Sequence, residues 1–140
     1  MNKLNNKCGL FGRISTSRQA NPQEGDLNSQ FNRMEEFVEL KNNNDPQFNW
    51  VVVRRYRENG VLGADLDRSE FNQLIQDVKD GSIDTVIVCT TSRIARSNRE
   101  FFDLWNLLHK HNVQFISLDE VTDVILKLSN LIETTKPTEG

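Results

Sequence analysis

The sequence predicts an α/β domain built on a mainly parallel sheet of four to five strands flanked by helices. Short apolar or β-branched runs alternate along the chain with stretches in which apolar residues recur at helical spacing. A strand that is followed by a helix and then by another strand returns parallel to the first, through a right-handed crossover. The runs predicted as strands are 8–15, 50–56, 84–90 and 113–118.

An amphipathic helix is predicted between each pair of consecutive strands. The first begins at Leu27 and keeps its apolar spacing as far as Val38. The second and third each open with a capping box, in which a short polar residue and a glutamate three positions later satisfy the first backbone N–H groups. The second helix is expected to carry Asp67 and Glu70 as its box, Phe71 to Val78 as its apolar face and Gly81 at its end, and the third to open with Ser97 and Glu100.

The chain of 140 residues is long enough for one domain with its own core. We predict that this domain occupies residues 1–123. Towards the end of the chain the pattern weakens, although apolar residues from Val121 to Ile132 keep helical spacing. Residues 124–140 are therefore expected to form a short amphipathic helix and a polar tail.

Composition excludes several classes of protein. No apolar run approaches the roughly 20 residues that a membrane helix needs, and the first residues lack the apolar segment of a secretory signal, so a cytoplasmic location is expected. Cys8 and Cys89 lie in apolar runs and are predicted to be free thiols in the core. No metal-ligand spacing is present, and no cofactor is predicted. The net charge of -3 argues against a general nucleic-acid binder, so the placement of the arginines matters more than their total.

Four arginines stand next to the predicted ends of strands. Arg13 ends the first strand, and Ser15 lies on the same face two residues later. Arg68 precedes the second helix, while Arg93 and Arg96 follow the third strand at a spacing that would place them on one helical face. Because functional groups of open α/β sheets gather at the carboxyl ends of the strands, we expect these five residues to converge.

A hydroxyl group surrounded by guanidinium groups suits chemistry at phosphorus. Guanidinium stays charged and grips phosphate oxygens in a fork. Such a cluster would bind a phosphodiester, favour the serine alkoxide and stabilise a pentavalent transition state without a metal. Each motif alone is common by chance, since paired arginines can simply mark a solvated helix start. The interpretation therefore rests on the joint order of the motifs along one α/β chain.

This order resembles the catalytic domain of the serine recombinases, the family of resolvases, DNA invertases and large serine integrases. The resemblance covers about residues 8–123, and at the first motif Ile14 stands where the family has valine. The matching segments are "GRISTSRQ" at 12–19, Gln30, "YRENGVLGADLDRSEFNQLI" at 56–75, "DTVIVCTTSRIAR" at 84–96 and "VQFISLDE" at 113–120.

The resemblance implies a role for each matched residue. Ser15 would attack a DNA phosphate, form a 5′-phosphoserine link and leave a free 3′-hydroxyl, with no need for ATP. Gln19 would support the nucleophile loop, which spans residues 16–26 and is expected to be mobile. The substrate would be double-stranded DNA at a specific recombination site, and the full-length protein would self-associate to a dimer or tetramer. The residues implied to hold the scissile phosphate are Arg13, Arg68, Arg93 and Arg96.

Two positions depart from the family pattern. Asn59 stands before the glycine where the family often has an acid, with Glu58 one step earlier. Ser92 precedes Arg93, where small resolvases commonly have aspartate. Fewer carboxylates are therefore expected to support the arginines, and Asp67 is the remaining acidic candidate.

The family usually continues into a long dimerisation helix and a DNA-binding domain. Residues 124–140 are thus expected to be either a truncated dimerisation helix or a disordered tail. The leading hypothesis is the catalytic domain of a site-specific recombinase, which could be inactive in isolation. A second hypothesis is a non-catalytic relic or isolated domain that modulates a full-length recombinase. A third, a flavodoxin-like module for a phosphorylated ligand, ranks last because no glycine-rich loop opens the first helix.

Overall fold

The computed structural model describes residues 3–15, 27–60 and 68–119. Four strands form one sheet in the order β2–β1–β3–β4, and every neighbouring pair is parallel. This arrangement confirms the predicted α/β fold and its parallel sheet. The elements are β1 (Leu4–Ser15), α1 (Leu27–Asn44), β2 (Phe48–Gly60), α2 (Ser69–Asp80), β3 (Thr85–Val88), α3 (Asn98–Lys110) and β4 (Gln114–Ser117).

The core consists of two apolar layers, one on each face of the sheet. Successive side chains of the central strand β1 enter opposite layers, as the pleat requires. Leu10 packs in the layer that contains Phe31 and Met34 of α1. Phe11 packs in the layer that contains Leu74 of α2 and the apolar face of α3. The sheet is therefore covered by α1 on one face and by α2 and α3 on the other.

A β-bulge interrupts the pairing of β1 with β2. Cys8 lies opposite Val52, but Gly9 lies opposite Arg54, so Val53 is an extra residue in β2. An extra residue in a strand reverses the faces to which all later side chains point. The two halves of β2 are therefore out of phase with each other.

This change of phase decides which of the two core layers each side chain of β2 joins. Trp50 belongs to the layer with α1, whereas Tyr56 belongs to the layer with α2 and α3. An unbroken strand would place both rings on one face, since they are an even number of residues apart. Glu58 follows Tyr56 by two residues and therefore points towards α2 as well.

The strands β1 and β2 are longer than their apolar runs predicted. The added ends, "LNNK" in β1 and "RENG" in β2, are mostly polar and lie outside the predicted runs 8–15 and 50–56. Backbone pairing carries both strands past the apolar runs, and the register continues to the pair of Ser15 and Gly60. Hydrophobic periodicity detects buried side chains, but it does not report backbone pairing between strands.

Of the two predicted capping boxes, the one at α3 forms only its serine half and the one at α2 is wrong. Ser97 is the N-cap of α3, and its Oγ accepts a hydrogen bond of 3.1 Å from the backbone N–H of Glu100. The box predicted from Asp67 and Glu70 is wrong, because α2 begins one residue later, with Arg68 at the N-cap position. The glutamate of that expected box instead accepts from the backbone N–H of Arg57, at 3.3 Å, and so ties α2 to β2.

Several expectations concern residues outside the described part of the chain. They are the mobile loop at 16–26, the domain boundary at residue 123 and the tail at 124–140. Cys8 and Cys89 are buried free thiols, as predicted, and burial raises the pKa of Cys8 to about 12. Among the helices that the structure describes, none has the length and apolar content required to cross a bilayer.

A buried polar contact joins α2 to the second half of β2. The hydroxyl of Tyr56 donates a hydrogen bond of 2.6 Å to Asp77 Oδ2, and both residues are buried. Burial and the bond to the carboxylate raise the pKa of Tyr56. Gln73 donates to the other carboxylate oxygen at 2.9 Å, and Arg54 approaches the first at 3.6 Å. The carboxylate of Asp77 thus has a polar partner on each oxygen.

We expect Tyr56→Phe to lower the free energy of unfolding by about 1–2 kcal/mol, because Asp77 loses one partner and keeps the others. Arg55→Gln provides the control, since it removes an exposed ion pair with Glu35 and should cost less than about 0.5 kcal/mol. Urea denaturation of both variants measures the difference. Equal losses in the two variants would contradict a buried anchor at Tyr56.

Candidate active site

Of the predicted site residues, those that the structure describes lie at the carboxyl edge of the sheet. Arg13 stands near the end of β1, and Glu58 lies opposite it in β2. The chain leaves β3 through a single 3-10 turn, Thr91–Arg93, before α3 begins. Parallel strands bring all these ends to the same side, so one edge of the sheet collects the functional groups.

The backbone of Arg13 is held by a side chain of α1. The backbone N–H of Arg13 donates to Gln30 Oε1 at 3.2 Å, and Gln30 Nε2 donates to the carbonyl oxygen of Arg13 at 3.0 Å. Gln30 is buried, with 6% of its surface exposed. A side-chain amide thus supplies both a donor and an acceptor to one backbone residue, as a neighbouring strand would. Arg93 Nη1 adds a second donor to the same carbonyl oxygen, at 3.1 Å.

Gly12 allows α1 to approach β1 closely enough for these contacts. A Cβ atom at position 12 would lie 2.9 Å from Cε2 of Phe31 and 3.1 Å from Cδ2 of Leu27. Both are α1 side chains, and Gln30 stands between them in sequence. The absence of a side chain at Gly12 therefore sets the distance at which Gln30 meets Arg13.

The guanidinium of Arg13 reaches across to the turn after β3, where it donates to the carbonyl oxygen of Ser92. Its pKa is lowered from the ordinary value chiefly by burial, an effect that the negative charge of Glu58 opposes. Nearby positive charges lower the pKa further. Those charges belong to Arg68, Arg93 and Arg96.

The guanidinium of Arg68 donates most of its hydrogen bonds to other groups of the protein. Its Nε and Nη2 donate to the two carboxylate oxygens of Glu58, at 2.9 and 3.1 Å. Nη2 also donates to the carbonyl oxygen of Ile94 at 3.2 Å, and Nη1 donates to Glu100 Oε1 at 3.2 Å. The guanidinium carbon lies 4.0 Å from the centre of the Phe71 ring. Four of the five N–H groups of this guanidinium are thus donated to acceptors in the described residues.

Glu58 lies in the site but was not among the residues predicted for it. It is 2% exposed and forms a two-pronged ion pair with Arg68, whose side chain is 15% exposed. It stands one position before the place where the family often has an acid, and Asp67, the acidic residue predicted instead, lies outside the described residues. A signal was available, because Glu58 stands two residues after the apolar Tyr56 on the same strand and shares its face.

Arg93 and Arg96 do not share one helical face, contrary to the expectation from their spacing. Arg93 ends the 3-10 turn, whereas Arg96 lies in the bend that precedes the N-cap of α3. The backbone N–H of Arg96 donates to Glu100 Oε1 at 2.7 Å, and its side chain is exposed. The two arginines are presented by irregular backbone, and their proximity to Arg13 comes from the turn.

Ser15 is the last residue of β1, opposite Gly60 in β2 and two residues beyond Arg13. Its backbone therefore lies at the functional edge of the sheet, as predicted. Gln19 lies outside the described residues, so its supporting role stays a prediction. Within 3–15, 27–60 and 68–119, no group of three or more His, Cys, Asp or Glu side chains is placed to hold a metal ion.

Known structures with the same fold include an integrase catalytic domain, a resolvase family recombinase and a serine recombinase. The N-terminal catalytic domain of TP901-1 integrase is 25% identical, with a TM-score of 0.65, over 96% of this chain and 99% of that chain. A resolvase family site-specific recombinase from Streptococcus pneumoniae is 22% identical, with a TM-score of 0.66, over 96% and 94%. The C-terminal catalytic domain of ISC1926 TnpA, an IS607-like serine recombinase, is 18% identical, with a TM-score of 0.60, over 91% and 82%.

The search of curated proteins found no match. The family model described as "Resolvase, N terminal domain" matches residues 9–139, which is most of the chain. The match includes Arg13, Ser15 and the arginines that the structure gathers at the edge of the sheet. The chain therefore belongs to the resolvase N-terminal domain family and is the catalytic domain of a site-specific DNA recombinase.

Proposed function

We propose that Ser15 is the nucleophile of this domain and that Arg13, Arg68, Arg93 and Arg96 hold the scissile phosphate. Attack of the Ser15 oxygen on phosphorus would form a 5′-phosphoserine link and release the 3′-oxygen as a hydroxyl. The reverse attack by a 3′-hydroxyl would rejoin the strand. The observation that carries this proposal is that Arg93 donates to the carbonyl oxygen of Arg13 and that Arg68 pairs with Glu58, which lies opposite Arg13 in the sheet.

The charge of this cluster suits the reaction. The network of the described residues holds four guanidinium groups and the two carboxylates that pair with Arg68, which leaves a net positive charge. A phosphodiester carries one negative charge, and its pentavalent transition state carries a second. Fixed guanidinium groups that meet this growing charge stabilise the transition state more than the ground state.

The arginines are suited to different parts of this task. Arg68 donates most of its N–H groups to Glu58, Glu100 and Ile94, so it would hold the phosphate mainly through its fixed positive charge. Arg96 is exposed, and its backbone is linked to Arg68 through Glu100. We propose that Arg96 contacts the phosphate oxygens directly, with Arg13 and Arg93 beside it.

We further propose that the partner is double-stranded DNA at a specific recombination site and that copies of the full-length protein assemble as a dimer and then a tetramer. Rejoining of two duplexes requires four serine links, one for each strand, and therefore four subunits. A cytoplasmic location is part of the same proposal, and the two free thiols are consistent with a reducing compartment.

A covalent adduct on a denaturing gel tests the proposal. The 140-residue chain, fused to a heterologous DNA-binding domain, is incubated with supercoiled DNA that carries the matching sites, in the presence of a chelator. We expect a protein–DNA adduct that Ser15→Ala abolishes, because the alanine variant lacks the attacking oxygen. Ser82→Ala is the matched control, since Ser82 lies exposed at the opposite edge of the sheet.

The same assay distinguishes the proposal from a purely modulating domain and from a different nucleophile. A domain that only modulates another recombinase forms no adduct of its own, and its effect on that recombinase is unchanged by Ser15→Ala. An adduct that persists in Ser15→Ala would assign the nucleophile to another residue.

Gln30→Leu provides a second test, directed at the support of Arg13. The variant leaves the buried N–H of Arg13 without its acceptor, so the free energy of unfolding should fall by about 1–3 kcal/mol. The rate of adduct formation should fall on the order of tenfold or more, because Arg13 is no longer fixed. Gln76→Leu, on the exposed face of α2, should leave both quantities nearly unchanged, and an equal loss in this control would contradict the assignment.

A further inference from the structure

We propose that Glu100 is a positioning residue for DNA cleavage, whose carboxylate fixes the backbone of Arg96 relative to Arg68. This inference rests on the function proposed for the same site. Neither the motifs of the sequence nor the expected set of phosphate-binding residues included this role for Glu100. The contacts of its carboxylate assign it.

A single oxygen atom of Glu100 makes the connection. Oε1 accepts a hydrogen bond of 2.7 Å from the backbone N–H of Arg96 and another of 3.2 Å from Nη1 of Arg68. The first donor is in the bend before α3, and the second belongs to Arg68, which occupies the N-cap position of α2. The carboxylate of Glu100 is therefore the direct bridge between the starts of two helices.

The geometry differs from that of an ordinary helix cap. In a capping box the glutamate at the third helical position reaches back to the N–H of the N-cap residue, which here is Ser97. Glu100 instead reaches one residue further, to Arg96. Stability of α3 does not require this longer reach, because the Oγ of Ser97 already caps the backbone N–H of Glu100.

Arg68 grips the same bend at a second point. Its Nη2 donates to the carbonyl oxygen of Ile94 at 3.2 Å, two residues before Arg96. Because Glu58 binds the opposite side of the guanidinium and is 2% exposed, Arg68 is itself fixed to β2. A continuous chain of contacts thus runs from β2 through Arg68 and Glu100 to the backbone of Arg96.

This chain of contacts matters for Arg96 because its side chain is exposed and long. A flexible arginine samples many rotamers before it meets a phosphate, and a fixed backbone keeps the starting point of the side chain within reach of that phosphate. Glu100 fixes this backbone because its side chain is long enough for one oxygen to accept from both donors. Its negative charge is secondary, because Glu58 already neutralises Arg68 from the buried side.

Two substitutions of Glu100 separate reach from charge. Glu100→Asp keeps the charge and shortens the side chain, so its oxygen no longer spans the two donors. Glu100→Gln keeps the length and the accepting oxygen but removes the charge. Both residues are compatible with the first turn of a helix, so both variants are expected to fold.

The assay is the rate of adduct formation in a single turnover, measured with the fused 140-residue chain over a range of DNA concentrations. We expect Glu100→Asp to lower the rate at saturating DNA on the order of tenfold to 100-fold, with little change in the half-saturating concentration. Glu100→Gln should stay within about threefold of the unmodified protein, because a neutral acceptor keeps most of the geometry.

Two controls address stability and charge. Ser97→Ala removes the cap of α3 and costs about 1 kcal/mol of stability, but it leaves the contacts of the Glu100 carboxylate, so the rate should stay within about threefold. Asp103→Asn removes an exposed charge on the same helix and should leave the rate unchanged. The NMR signal of the Arg96 backbone N–H should move upfield and exchange faster in Glu100→Asp, but not in Asp103→Asn.

The outcomes distinguish this inference from the proposed function. If Glu100→Gln is the slower variant, or if Ser97→Ala is as slow as Glu100→Asp, the positioning role is overturned while the recombinase site stands. An Arg96 signal that is unchanged in Glu100→Asp also overturns it. If the unmodified protein forms no adduct, the proposed function fails first, and a role for Glu100 in cleavage fails with it.

Discussion

The buried ion pair between Glu58 and Arg68 is the interaction on which the rest of the site depends. A carboxylate that is 2% exposed must be paired, and Arg68 donates two N–H groups to it. Removal of one partner from such a pair typically costs about 3–5 kcal/mol, because the other charge is left buried. The pair fixes the guanidinium so that its remaining donors reach Ile94 and Glu100. The end of β2 is thereby connected to the bend that carries Arg96.

The position of Glu58 in turn depends on the β-bulge at Val53. Without the extra residue, Glu58 would share a face with Trp50 and point towards α1, where Arg68 could not pair with it. The other components of the site meet the pair from β1, where Gln30 and Gly12 set the position of Arg13. A few local departures from regular structure therefore place the charged groups, while the sheet supplies a rigid base.

The fold could be predicted from the sequence because alternating apolar runs and amphipathic stretches directly report burial. The approximate position of Arg13 was predictable for the same reason, since strand ends are visible in the pattern. That Glu58 shares a face with Tyr56 was predictable, but the layer of the core that this face joins was not, because a bulge is a property of pairing between two strands and leaves no period in one. Gln30 and Glu100 were likewise missed as supporting residues, since their partners lie on other elements and are chosen only when those elements pack.

A double-mutant cycle between Glu58→Gln and Arg68→Gln tests this account most directly. The free energy of unfolding is measured by urea denaturation for the unmodified protein, the two single variants and the double variant. The account predicts a coupling energy of about 2 kcal/mol or more, since each single variant strands a buried partner while the double variant strands neither charge. Additive losses, within about 0.5 kcal/mol, would show that the two residues act independently and would contradict the central role given to their pair.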